Sequence, residues 1–170
     1  MRVDIHSHTA PAKYVEAIRR DPKAMGCRIE KDDQGREAIV QETGRSTRLR
    51  PNLIDPELRL GEVAAEEIDV IVESLLPPLL PLWAPTAVGV RVCQVVNDAI
   101  AEDAARFPGR MVGMGILPLQ DVGEAIAHGV AGIAQLGKCV EQGQVGFRLE
   151  QSVVLMLTVD VNQRTADFGK

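Results

Sequence analysis

The run Ile68 to Leu76, IDVIVESLL, constrains the fold more than any other stretch of the chain. Its β-branched residues favour a pleated, packed surface, and Pro77-Pro78 closes it, so it reads as a buried strand. Residues 2–8 alternate in the same spirit, with Val3 and Ile5 on one face and Arg2, Asp4, His6 and His8 on the other. Pro11 then leads into a helix over AKYVEAIRR, residues 12–20, which the Asp21-Pro22 step stops. Asp55 caps a second helix that opens on Pro56 and runs PELRLGEVAAEE. A third helix covers Val88 to Phe107, spaced through Val92, Val95, Val96, Ile100 and Ala104, and ends at Pro108-Gly109. The strand RMVGMGILP follows, then an Asp-capped helix from Asp121 to Gly143 and a fourth strand beginning at VGFRL. Strand, helix, strand, helix, strand, helix, strand is a parallel α/β arrangement.

Two stretches stand outside that alternation. Residues 26–52 are polar and charged, with weak alternation around Ile39 and Val40, and read as an excursion holding a small hairpin. Residues 149–170 contain the apolar run Val153 to Val161 with no helix after it, whereas a parallel sheet covers both its faces. Aromatic residues make up only 3% of the 170, so the core must be built from Val, Ile, Leu, Ala and Met.

Charge and cysteine usage exclude several classes of function. A formal net charge of -5 offers no basic field for nucleic acid. Cys27, Cys93 and Cys139 are odd in number and far apart, which fits reduced thiols in a cytoplasmic protein better than a disulfide framework. No apolar run reaches the roughly 18 residues of a membrane span, and the N-terminus lacks the apolar core of a signal peptide.

Against that background, two of the three histidines fall one residue apart in MRVDIHSHTAP. At positions i and i+2 of a strand, both imidazoles point the same way, and neutral imidazole nitrogen is a ligand for zinc and similar ions. H-x-H alone is a weak pattern, since two neighbouring surface histidines produce it equally well. Here a strand-forming run leads into the pair and a proline turn follows it. Asp4 stands two residues earlier, either to orient an imidazole or to bond the backbone at the start of the strand.

Three blocks, VDIHSHTAPAKYVEAI, DPELRLGEVAAEEIDVIVESLLPP and VVNDAIAEDAARFPGRMVGMGILPLQD, occur in an order that resembles the amidohydrolase-related (amidohydrolase 2) metal-dependent hydrolases typified by aminocarboxymuconate-semialdehyde decarboxylase. The resemblance covers most of residues 1–148. It implies a (β/α)8 TIM-type barrel with one divalent metal, usually zinc, at the C-terminal mouth. A full barrel takes ~250 residues, so about four parallel strands with covering helices and a polar insertion correspond to its N-terminal half, one partial domain over 1–170.

By the same resemblance, His6 and His8 match the first two metal ligands. Arg48 and Arg50 lie near the loop that supplies a carboxylate-binding arginine, and Trp83 in PLWAP matches a pocket-lining aromatic. For each, the plainer alternative is a solvated arginine or a loop-packing tryptophan. The family's remaining ligands and its catalytic histidine come from later strands, and no catalytic residue is assigned here. His128 falls within the helical stretch EAIAHGVAG and is read as a helical histidine rather than a ligand.

The expected function is therefore a metal-dependent hydrolase or decarboxylase of a small carboxylate-bearing substrate, incomplete or inactive as this chain alone. A second reading is a non-catalytic half-barrel that pairs with itself as a homo-oligomer or with another chain, since open strand edges and uncovered apolar surface invite association. A TatD-like H-x-H nuclease is disfavoured by the acidic charge and by the DPELRL and LPLQD blocks.

Overall fold

A computed structural model describes residues 1–129. The chain divides into two compact units, Met1–Ala125 and Ile126–Lys170, and of the second only residues 126–129 are described. In chain order the first unit contains β1 (Val3–Thr9), α1 (Ala12–Arg20), α2 (Pro22–Met25), β2 (Cys27–Lys31), β3 (Glu37–Gln41), β4 (Ser46–Arg48), α3 (Pro51–Ile54), α4 (Pro56–Ala65), β5 (Val70–Leu75), α5 (Thr86–Arg106) and β6 (Met111–Gly113). Two 3-10 turns, Pro77–Leu79 and Pro81–Trp83, fill the proline-rich loop after β5.

The expected alternation produces a parallel sheet ordered β1-β5-β6, so the β-branched run at Val70–Leu75 is the central strand of the three. Helix α1 forms over residues 12–20 as the spacing predicts and buries Tyr14, Val15, Ala17 and Ile18 on one stripe. They pack with Val92, Cys93, Val96 and Ile100 of α5 and with Leu75 at the end of β5. Asp55 caps α4 as expected, accepting from the backbone N–H groups of Glu57 (2.8 Å) and Leu58 (3.4 Å). The strand expected over residues 110–118 is short, Met111–Gly113. Residues 122–125 of the first unit, and 126–129 of the second, are helical, and Asp121 Oδ1 accepts from the Glu124 N–H at 3.0 Å. The fourth expected strand and the tail 149–170 lie outside the described residues. No described helix is long and apolar enough to cross a membrane.

Two features differ from the sequence expectations. The excursion over 26–52 is more than a hairpin: β2, β3 and β4 form their own antiparallel sheet. It also does not leave the fold, because Cys27, Ile39 and Leu49, each under 8% exposed, belong to the same core as α1 and α5. A few apolar residues in a polar stretch suffice, since alternation sends them all to one face of the sheet.

The strict alternation over residues 2–8 is the second departure. Asp4 pairs with Ile71 and Ser7 with Glu73, so three steps along β1 match two along β5 and the strand carries an extra residue. Its physical origin is Asp4, whose Oδ1 accepts from the His6 N–H at 2.9 Å and withdraws that donor from the ladder. The extra residue changes which side chains face the helices. Val3 and Ile5, which strict alternation puts on one face with Ser7 and Thr9, are 38% and 72% exposed, whereas Ser7 and Thr9 are 7% and 0% exposed.

Candidate metal centre

The C-terminal half of β1 is held from both sides. Leu76 donates its N–H to the Thr9 carbonyl at 2.8 Å, and the Leu53 carbonyl of α3 accepts from the Ala10 N–H (2.8 Å) and the Thr9 hydroxyl (3.0 Å). On this fixed strand end stand His6, exposed, and His8, half-buried, with ring centroids 4.9 Å apart and planes at 85°. That spacing is the one two imidazoles have on a tetrahedral ion, where metal–nitrogen distances of about 2.0–2.1 Å put the centroids about 5 Å apart, and it is also that of an edge-to-face ring contact. The donor type suits zinc.

The protonation state also fits. Burial lowers the pKa of His8 below the ordinary imidazole value, the neighbouring His6 lowers it further, and Asp4 opposes both. The neutral ring, the form that binds metal, is thus favoured. Beside His8, in register across the parallel pair, is Ser74, whose Oγ lies 3.2 Å from His8 Nδ1. Asp4 acts on the pair through the His6 backbone N–H and through its charge.

The other candidate residues lie apart from the histidines. Arg48 is exposed on β4, paired in register with Ala38, at an open hollow shared with Lys31, Arg36 and Glu37. Arg50 is exposed immediately before α3, the short helix that braces the end of β1. Trp83 packs against Gly26, the left-handed residue (φ 61°) that ends α2. A Cβ built at Gly26 would come within 2.8 Å of the indole, and Trp83 Nε1 is buried without a hydrogen-bond partner. His128 lies in the helical stretch, half-buried. Among the described residues no group of three His, Cys, Asp or Glu side chains is assembled that could hold a metal ion.

Sequence reasoning missed two elements. Ser74 carries no motif and gains its place only from strand pairing. The second is a buried ion pair, Arg59 of α4 to Glu73 of β5 at 2.5 Å, with side chains 6% and 0% exposed. A glutamate inside the otherwise apolar IDVIVESLL was its signal. Burial raises the pKa of Glu73, and Arg59 opposes that rise.

No family model matches the chain. It is 26% identical over 125 residues to a 2-amino-3-carboxymuconate-6-semialdehyde decarboxylase of Caenorhabditis elegans, across 74% of this chain and 31% of that protein. With the protein of the same name in Dictyostelium discoideum it shares 25% identity over 156 residues, across 90% of this chain and 41% of the other. The chain thus spans well under half the length of these curated relatives. Among solved structures, the apo form of Metarhizium anisopliae IDCase superposes with a TM-score of 0.62 at 18% identity, over 77% of this chain and 39% of that one, which is a likeness of fold. The described α/β unit, with its three-stranded parallel sheet, shares its fold with part of that structure. By these likenesses the chain resembles the amidohydrolase-related family that includes 2-amino-3-carboxymuconate-6-semialdehyde decarboxylase.

Proposed function

We propose that the chain carries the first ligand pair of a metal-dependent decarboxylase or hydrolase acting on a small carboxylate-bearing substrate. The observation that carries this reading is the His6–His8 pair, its rings 4.9 Å apart on a braced strand end. His6 and His8 would hold a divalent ion, zinc being the first choice for imidazole donors. When bound, such an ion lowers the pKa of a coordinated water towards ~7 and polarises an oxygen of the substrate. Of the two arginines, Arg50 is better supported as the carboxylate clamp, because it leads directly into the helix that braces β1. Arg48, on the separate antiparallel sheet, and Trp83, against Gly26, are the less supported binding residues. The names of the relatives make 2-amino-3-carboxymuconate 6-semialdehyde the first substrate to try, with decarboxylation favoured over hydrolysis. Cys27 and Cys93 are free and buried, in keeping with a cytoplasmic setting.

A second reading, a half-barrel that associates with itself or another chain, is favoured by the exposure of Ile5 (72%) in the middle of a strand. Zinc titration of the purified 170-residue chain, with carbon dioxide release from that substrate and sedimentation run in parallel, separates the two. Zinc binding lost in His6→Ala and His8→Ala, with or without turnover, supports the first reading. A metal-free dimer or larger assembly with no turnover supports the second.

A further inference from the structure

Ser74 bears on a question that a histidine ligand always raises, namely which ring nitrogen carries the proton. A serine hydroxyl has one hydrogen to give and two lone pairs. Across the β1–β5 pair, Ser74 Oγ lies 3.5 Å from the Ser7 carbonyl oxygen and 3.2 Å from His8 Nδ1. The carbonyl can only accept, so the longer contact needs the hydroxyl hydrogen. Both bonds are made together only if the shorter one runs the other way, with His8 Nδ1–H donating to Ser74 Oγ.

We infer that Ser74 is a positioning residue that fixes His8 as the Nδ1–H tautomer and leaves Nε2 as its bare, metal-facing nitrogen. A neutral imidazole offers a lone pair at one nitrogen only, and the hydrogen bond at the other decides which. His6 is held differently, through its backbone N–H, which donates to Asp4 Oδ1 at 2.9 Å.

The placement of Ser74 is itself secured from the opposite face of the sheet. Glu73 pairs with Ser7 in the β1–β5 register, and Arg59 of α4 holds the Glu73 carboxylate. A slip of one residue would turn Ser74 away from His8 and bring a carboxylate to its side. The use of the tautomer rests on the metal-binding reading, but its existence does not.

The test is a two-bond 1H–15N correlation spectrum of the metal-free, 15N-histidine-labelled full chain at about pH 8.5, where imidazoles of ordinary pKa near 6.5 are neutral. His6→Ala and His128→Ala variants assign the signals. The expected His8 pattern has Nδ1 protonated and Nε2 bare. In Ser74→Ala it moves to a mixture led by Nε2–H, and Ser74→Thr, which keeps the hydroxyl, retains the original pattern. Competition against a chromophoric chelator should show zinc affinity falling about 10–100-fold in Ser74→Ala and recovering in Ser74→Thr.

An Nε2–H pattern in the unmodified chain overturns the inference, as does a Ser74→Ala spectrum unchanged from it. If Ser74→Ala fails to fold, the patterns of the unmodified chain and of Ser74→Thr decide. The Nδ1–H pattern in a chain that binds no zinc leaves the inference standing and defeats the metal-binding reading instead.

Discussion

Replacing Arg59 by Met separates the electrostatic part of the α4–β5 contact from its packing. Methionine keeps most of the volume of the arginine stem and removes the charge, leaving Glu73 at 0% exposure. The nearby Thr9 hydroxyl, which donates to the Leu53 carbonyl at 3.0 Å, also bonds the Glu73 carboxylate and lowers its pKa, but it is neutral and cannot replace the charge of Arg59. Removing one partner of a buried pair costs about 3–5 kcal/mol, mostly because the surviving charge is stranded without water. Arg59 also donates to the Asn52 carbonyl at 2.8 Å, which places the expected loss at neutral pH in the upper part of that range.

The sign of the pH dependence follows from Glu73. Burial already raises its pKa, and loss of Arg59 removes what opposes the rise. A native state that holds its proton more tightly than the unfolded chain loses stability as pH rises from the unfolded pKa through the folded one. The Arg59→Met deficit should therefore shrink as pH falls from 7.5 to 5.5, by no more than about 1.4 kcal/mol per pH unit. Urea unfolding at several pH values, followed by circular dichroism, measures the difference. An Arg59→Met/Glu73→Met double variant should lie within about 1 kcal/mol of the parent, because a well-packed apolar replacement of a buried pair is often neutral. A single-variant deficit below about 1 kcal/mol, or one that stays constant with pH, refutes the reasoning.

Asp55→Ala should cost about 1 kcal/mol in urea unfolding, because its carboxylate takes two N–H groups of the first turn of α4. Gly26→Ala should cost at least about 1–2 kcal/mol, the usual penalty for a β-carbon in the left-handed region. It should also shift the fluorescence of Trp83, the one tryptophan, whose indole stands in the path of the new methyl; unchanged emission would count against that packing. Burial pushes the Cys27 and Cys93 thiols up to about 11. In a Cys139→Ser background at pH 8, a thiol reagent should react with the folded protein about 100-fold more slowly than with the urea-unfolded chain, in proportion to the thiolate present. Equal rates would show that these thiols are accessible.

What was legible in the sequence is what local chemistry decides. The stripe of α1, the Asp55 cap with Pro56 behind it and the β-branched run of β5 each declare themselves within about ten residues, because caps and periodicity act over that distance. The histidine pair was legible for a different reason: two of the chain's three histidines stand one residue apart in a strand-forming run that ends at a proline turn. The polar stretch 26–52 was misjudged because its charged residues outnumber the three, Cys27, Ile39 and Leu49, that fasten its sheet to the core. Composition averaged over the segment hides an alternation that concentrates the apolar residues on one face.

The geometry of the pair belongs to a different range of interaction. Asp4 breaks the alternation of β1 by taking a backbone donor two residues away, and the consequence is decided by residues some sixty-five positions further on. With Ser7 opposite Glu73 and His8 opposite Ser74, one face of the sheet receives the carboxylate that Arg59 holds and the other receives the hydroxyl beside the imidazole. Side chains alternate along β5, so these placements cannot vary independently: shifting one residue exchanges both. The buried ion pair, which buried salt bridges in general do not justify on stability alone, acquires a reason here. An apolar replacement at Glu73 would pack as well in either register, whereas a carboxylate tolerates only the face that Arg59 serves. The charge thereby specifies which side of β5 meets His8, and the histidine that looked self-sufficient in the sequence depends on α4 for its partner.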